Sequence, residues 1–309
     1  MFFTKSHQVA HDVLITLGHL FFQKAGCDLP IKPRLMPLVV GPTGVGKSFL
    51  VEQVAGELNA CYFKVTRGDW IPQGARTNRP TVFQIIDHVL RNKRVLLHID
   101  ELDKFQIDFS DGDWSASIGS DLWNVLDGKY QFDEYIRGYQ KGETNVPTPD
   151  VFANAIGSSL WIVGSGTWQD IFVQSRRSAT AGFGGSSLAQ PVNADSISGA
   201  GVIPEELLYR FNSDLIFLGY PSIDETAQIL TNTGLTSFAH DLGVIITPTE
   251  IDWTKGGMRV LETLMARLAV KRYQRTHSSQ PISGPGRSEP FKGLPSGRQN
   301  GPANLNPVT

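Results

Sequence analysis

Eight consecutive residues, Gly41-Pro-Thr-Gly-Val-Gly-Lys47-Ser48, constrain what this chain can fold into more than any other stretch. They satisfy the pattern G-x-x-x-x-G-K-[ST], which works only where a buried strand ends and a helix begins. Both neighbours fit. An apolar run over 34–40 precedes it, and 47–59 carries Phe49, Leu50, Val54 and Leu58 at helical spacing. The glycines let backbone N–H groups curl around a phosphate, the helix N-terminus adds its dipole, Lys47 reaches the outer phosphates and Ser48 can ligate a divalent cation. The expected nucleotide-contacting set is Gly41, Pro42, Thr43, Gly44, Val45, Gly46, Lys47, Ser48 and Phe49.

A second segment completes the chemistry. The strand-like run Leu96-Leu-His-Ile99 ends on Asp100-Glu101-Leu-Asp103-Lys104, with Asp100 lying 53 positions after Lys47. Neighbouring residues at a strand end point in different directions, so one acid can serve a cation and the next can polarise water. Asp100 is assigned to the metal, together with Ser48, and Glu101 to the water. His98 reads as a packed strand residue.

Around these motifs, short branched or aromatic runs at 34–40, 60–66, 94–99, 159–164 and 214–218 alternate with helical periodicity, as at 47–59 and 81–91. That alternation is the signature of βαβ units and a parallel sheet. After Pro221 the strand signals fade, and helical segments are expected at 223–242 and 257–274. The expected organisation is an α/β domain over 1–219, a small helical domain over 220–277 and a disordered tail over 278–309, where 16 of 32 residues are Gly, Pro or Ser.

Composition narrows the classes further. There are 28 Lys plus Arg against 30 Asp plus Glu, a net charge of −2, so no global charge favours nucleic acid or an anionic membrane. Cys27 and Cys61 are the only cysteines, too few for a disulfide framework or a four-cysteine zinc site. No signal peptide or membrane span is legible, and the expectation is a cytoplasmic protein with no membrane partner.

The phosphate loop, the Asp-Glu-Leu-Asp-Lys box and three later segments together resemble the Clp/HslU group of AAA+ ATPases, and its ClpX-type unfoldases most of all. Leu160-Trp-Ile-Val-Gly-Ser165-Gly-Thr167-Trp168 is similar to the sensor-1 strand, so Ser165 or Thr167 would read the γ-phosphate. Gly201-Val-Ile-Pro204-Glu-Glu206-Leu-Leu-Tyr-Arg210 is similar to the arginine-finger segment, with one residue more than the family pattern. Arg210 would then serve a neighbouring subunit's nucleotide. Gly256-Gly257-Met258-Arg259 is similar to the start of the sensor-2 helix, which gives Arg259 a nucleotide contact from the lid side.

The resemblance implies an AAA+ phosphate-loop domain with a helical lid, ATP and Mg²⁺ as cofactors, and a homo-oligomeric ring, a hexamer by analogy. It implies remodelling or unfolding of a macromolecular partner, protein before nucleic acid; the alternative is a non-threading ATP-dependent switch or loader. The family's N-terminal zinc-binding domain is not expected here, and the family's usual aromatic pore triplet is not found at the matching place in this sequence. Trp70 is the one aromatic near that loop, either gripping polypeptide or anchoring the loop, and Arg67, Arg76 and Arg79 give the loop positive charge. A second pore loop is expected at Tyr135-Ile-Arg137-Gly-Tyr139-Gln-Lys141. The peptidase-docking tripeptide of the family is matched by Ala181-Gly-Phe183, whose small first residue removes three carbons, about 2 kcal/mol of contact per loop. Docking on a Clp-type peptidase is therefore expected to be weak or absent.

Overall fold

The computed structural model describes residues 4–23, 33, 35–73, 79–105, 113–137, 147–172, 196–197, 205–211 and 215–277. Five parallel strands form one sheet: β1 (Leu38–Val40), β2 (Cys61–Val65), β3 (Val95–Ile99), β4 (Leu160–Gly166) and β5 (Ile216–Phe217), in the order β2-β3-β4-β1-β5. The protein is thus α/β, with a strand at each place where a short apolar run predicted one. Strand β4 lies between β1, which leads into the phosphate loop, and β3, which carries the acids. Its C-terminal end therefore separates the two motifs.

Helices cover both faces: α1 (Lys5–Phe22), α2 (Lys47–Glu57), α3 (Thr81–Arg91), α4 (Asp113–Leu126), α5 (Phe132–Arg137) and α6 (Pro149–Ser159). The period-2 pleat sorts the strand residues between them. Val95, Leu97 and Ile99 of β3 join Leu160 and Ile162 of β4 in a core with Val82, Ile85, Ile86 and Val89 of α3 and Leu122 and Val125 of α4. The alternate residues Leu96, Trp161 and Val163 face Ala10 and Leu14 of α1 and Leu50, Val51 and Val54 of α2. Both faces of the sheet are closed, as a parallel sheet requires.

Beyond β5 the chain is helical: α7 (Ile223–Asn232), α8 (Leu235–Asp241) and α9 (Arg259–His277), with 3₁₀ turns at Pro248–Glu250 and Trp253–Lys255. The single helix expected over 223–242 is two helices. Gly234, at φ +69°, adopts the left-handed conformation that ends the first, and α8 starts beside it. Ile229, Leu230, Leu235, Ala239, Trp253, Leu261 and Leu268 form a small core of their own. Its Trp253 Nε1 donates to Thr226 Oγ1 at 2.8 Å. A capping box at Ser222 and Glu225 fixes where α7 begins.

Trp70 is buried in the main core, edge-on to Phe105 at 6.0 Å between ring centroids, with its Nε1 donating to Asp121 at 3.4 Å. This settles the two readings of Trp70 by geometry: the indole anchors its loop to α4. Trp70→Ala is expected to lower unfolding free energy by about 3–5 kcal/mol in a urea titration, the cost of deleting a large buried aromatic. A loss under about 1 kcal/mol would mean that the indole leaves this pocket in solution.

The charges of the same loop are also engaged. Arg79 makes a two-pronged ion pair with Asp87, at 2.6 and 2.8 Å, and Arg67 donates to Lys104 O and Ser115 Oγ. Arg76 lies outside the described residues. In the second candidate loop Tyr135 is fully buried on α5 and its hydroxyl donates to Asp87 at 2.8 Å, so it is a core residue. Residues 138–141, 181–183 and the tail also lie outside the described residues. No described helix is long and apolar enough to cross a membrane.

Candidate functional site: a phosphate loop facing an acidic strand end

The phosphate loop runs from the end of β1 into α2, as its residue pattern demands. Lys47 is almost wholly buried and donates to two carbonyls of its own loop, Gly41 O at 2.6 Å and Pro42 O at 2.9 Å. Burial pushes its ammonium pKa down to about 8, against the attraction of Asp100, Asp103 and Glu101. Among the other predicted loop residues, Thr43 N donates to Gln169 Oε1 at 3.2 Å, Val45 O accepts a 2.6 Å bond involving His7 Nε2, and Phe49 is exposed.

Opposite the loop, β3 delivers Asp100. Ser48 Oγ donates to Asp100 Oδ2 at 2.6 Å, joining two residues 52 positions apart, and Lys64 Nζ of β2 pairs with the same oxygen at 2.8 Å. The other oxygen, Oδ1, accepts from Ser165 Oγ at 2.6 Å and from the Glu101 N–H at 2.9 Å. Burial opposes ionisation of this carboxyl, but the neighbouring His98 and the hydrogen bonds from Lys64, Ser165 and Ser48 outweigh it and hold it well below the usual carboxylate range. Asp100 is a fixed anion.

Glu101 is placed differently. Its backbone is left-handed, φ +56° and ψ +41°, an uncommon conformation for a residue with a side chain. That turn swings the carboxylate away from Asp100 and out of the protein, where it is 44% exposed and pairs with Lys104 at 2.9 Å. Two adjacent acids thus occupy opposite environments, one buried and clamped and one open to solvent.

Ser165 and Thr167, the alternatives for the sensor position, are both engaged. Ser165 is fully buried and its hydroxyl donates to the Asp100 carboxylate, whereas Thr167 donates from Oγ1 and from N to the Asp103 carboxylate, at 2.7 and 2.9 Å. Arg259 is exposed in the first turn of α9. Directly before it, Met258 N donates to Gly44 O of the phosphate loop at 2.7 Å, so the C-terminal helices reach the loop through backbone. Arg210 is tied within its own chain: Nε and Nη2 bind both oxygens of Asp127 at 2.6 and 3.1 Å, and the guanidinium lies 4.0 Å above the Trp123 ring. A contact from Arg210 to a neighbouring subunit requires that clamp to open.

The sequence reading missed four contributors. Lys64 carried a signal, since it is the one charged residue inside the apolar run 60–66. Asp103 was in view within the acidic box but without a role. His7 and Gln169 gave none, because their contacts with the loop depend on how α1 and the segment after β4 pack.

An oxygen-rich pair, the Ser48 hydroxyl and the Asp100 carboxylate 2.6 Å apart, fits a hard divalent cation such as Mg²⁺, which takes few protein ligands and keeps waters. Among the described residues, no group of three or more His, Cys, Asp or Glu side chains is arranged to hold a metal ion.

Residues 37–137 match the model of the ATPase family associated with various cellular activities (AAA). An 82-residue stretch, 26% of this chain, is 30% identical to the ATP-dependent zinc metalloprotease FtsH of Rickettsia felis. A stretch of the same length is 32% identical to the FtsH of Buchnera aphidicola subsp. Schizaphis graminum. These matches cover 12% and 13% of those relatives, so the chain spans about an eighth of their length. A crystal structure of the FIGL-1 AAA domain in complex with ADP aligns with 74% of this chain and 56% of that chain, at 15% identity and a TM-score of 0.41. The AAA-like stretch 37–137 is the part of the chain that contains β1, α2, β2, α3 and β3, and with them Lys47, Ser48, Asp100 and Glu101.

Proposed function

We propose that the chain is a Mg²⁺-dependent ATP hydrolase of the AAA+ type, and that it uses hydrolysis to change the state of a macromolecular partner. The observation that carries this reading is the 2.6 Å contact between Ser48 and Asp100, which brings the end of a phosphate loop against an acidic strand end. Lys47, now bonded to Gly41 O and Pro42 O, would swing onto the β- and γ-phosphates, with loop N–H groups donating beside it. Ser48 and Asp100 would hold Mg²⁺, which when bound offsets charge building up on the phosphates. Glu101, open to solvent, would orient and deprotonate the attacking water.

Within this reading a ring is the expected assembly, with Arg210 leaving Asp127 to meet a neighbour's nucleotide. A ClpX-like, peptide-threading role is the more detailed possibility. The burial of Trp70 favours the other reading, an ATP-dependent switch or loader that does not thread its partner, because the one aromatic offered by the loop is a packed anchor.

The test is steady-state hydrolysis of ATP by the purified chain with Mg²⁺, beside Lys47→Ala. The unaltered chain is expected to turn over ATP. Lys47→Ala is expected to weaken ATP binding by at least about tenfold in equilibrium titration, since it removes a charge-assisted bond to phosphate. ATP binding that is equal in both proteins would overturn the assignment of the loop.

A further inference from the structure

Tyr62 and Lys64 alternate on β2, His98 and Asp100 on β3, and Ser165 follows Val163 at the end of β4. The pleat puts all five on the sheet face covered by α1 and α2. The strand register sets Tyr62 beside Leu96 and Lys64 beside His98, so Tyr62 reaches His98 along a diagonal. The contacts form one chain. Tyr62 Oη lies 2.7 Å from His98 Nδ1, His98 Nε2 lies 2.8 Å from Ser165 Oγ, and Ser165 Oγ lies 2.6 Å from Asp100 Oδ1.

With a neutral imidazole the protons in this chain have one consistent arrangement. The Asp100 carboxylate can only accept, so Ser165 spends its single proton on it. Ser165 must then accept from His98, which places the imidazole proton on Nε2. In the neutral form of this fully buried ring, Nδ1 then has a lone pair and accepts the Tyr62 proton at 2.7 Å. Every donor points toward Asp100.

The end of the chain fixes a rotamer. Oδ1 of Asp100 is held by Ser165 and by the Glu101 N–H, which leaves Oδ2 turned toward Ser48 and Lys64. We propose that His98 is a positioning residue: with Tyr62 behind it, it orients the Ser165 hydroxyl and thereby aims Oδ2 of Asp100 at the cation position beside Ser48. A packed apolar residue at 98 would remove the donor that orients the Ser165 hydroxyl and so loosen its hold on Oδ1 of Asp100. The proposal rests on the reading of Ser48 and Asp100 as the cation pair.

Its test compares His98→Leu, His98→Gln, Ser165→Ala and the double variant His98→Leu/Ser165→Ala in the full chain. The measurements are kcat, KM for ATP at saturating Mg²⁺, and the Mg²⁺ concentration giving half-maximal rate. His98→Leu is expected to raise the half-maximal Mg²⁺ concentration about tenfold while KM for ATP at saturating Mg²⁺ stays within about twofold. Gln can donate to Ser165 from its amide and accept from Tyr62 with its carbonyl, so His98→Gln is expected to recover most of the loss. The double variant is expected to be no worse than Ser165→Ala alone, because His98 acts through that hydroxyl. Additive losses, or equal losses in the Leu and Gln variants, would overturn the proposal.

A second measurement needs no turnover. Long-range ¹H–¹⁵N spectra of the nucleotide-free chain, with the ring assigned by its disappearance in His98→Gln, report the tautomer directly. A proton on Nε2 is the expected result, and a proton on Nδ1 overturns the relay. If the unaltered chain hydrolyses no ATP, the hydrolase reading fails, and the tautomer still decides whether the relay exists.

Discussion

Replacing Glu101 with Gln is expected to slow ATP hydrolysis at least about 100-fold while leaving ATP affinity within about threefold. The two side chains have the same shape, and Gln tolerates the left-handed backbone at 101 about as well as Glu. What disappears is the negative charge and the base. Asp100 does not replace it, because its two oxygens already accept four bonds, from Ser48, Lys64, Ser165 and the 101 N–H. The asymmetry between the acids makes the assignment testable: the buried one is saturated with donors, and the exposed one has Lys104 as its ion-pair partner among the described residues. Rapid-quench turnover with a parallel binding titration separates the effects. Undiminished turnover in Glu101→Gln would remove Glu101 from the chemistry, and loss of affinity equal to the loss of rate would make it a binding residue.

The second large effect is expected at the seam between the phosphate loop and the C-terminal helices. Gly257 has φ +60°, and a Cβ there would lie 2.3 Å from the carbonyl carbon and oxygen of Gly44. Both partners are backbone, so nothing flexible can yield. Gly257→Ala is therefore expected to cost about 2–4 kcal/mol, combining left-handed strain with overpacking, and to break the Met258 N–H to Gly44 O bond. Gly234→Ala supplies the control: it has a similar φ of +69°, and among the described residues no neighbouring atom lies within 4 Å of the new Cβ, so it carries the strain alone. Chemical denaturation of both variants isolates the contact. Equal losses would show that the seam is loose in solution; a larger loss in Gly257→Ala, with faster proteolysis of the 220–277 segment, would show that it is tight.

Much of this molecule was legible in order along the chain. Each strand appeared as a short branched or aromatic run: the inner strands β1, β3 and β4 are buried on both faces and show almost no polar side, and the half-buried edge strand β2 shows only Lys64. Helix α3 has the bounds its periodicity gave, 81–91, since Val82, Ile85, Ile86 and Val89 make one clean stripe. Helix α1 was not assigned. Its buried residues His7, Ala10, Leu14 and Gly18 mix polar and small side chains, so the stripe is visible only once the surface it packs on is known.

The division at the site follows the range of the forces involved. The sequence by itself determined the phosphate loop and the paired acids, because their geometry is local: a strand end, a tight glycine turn and a helix start are set by residues within one or two turns of each other. Only the tertiary structure decided which groups meet across the sheet. Strand order places β4 between the two motifs, and register then puts Lys64, His98 and Ser165 within hydrogen-bond reach of their partners. The same holds for Trp70 and Arg210, each a plausible outward-reaching residue in sequence. A buried indole bonded to Asp121 and a guanidinium clamped by Asp127 over Trp123 are consequences of α4 packing where it does, and side-chain chemistry read along the chain carries no record of that distance.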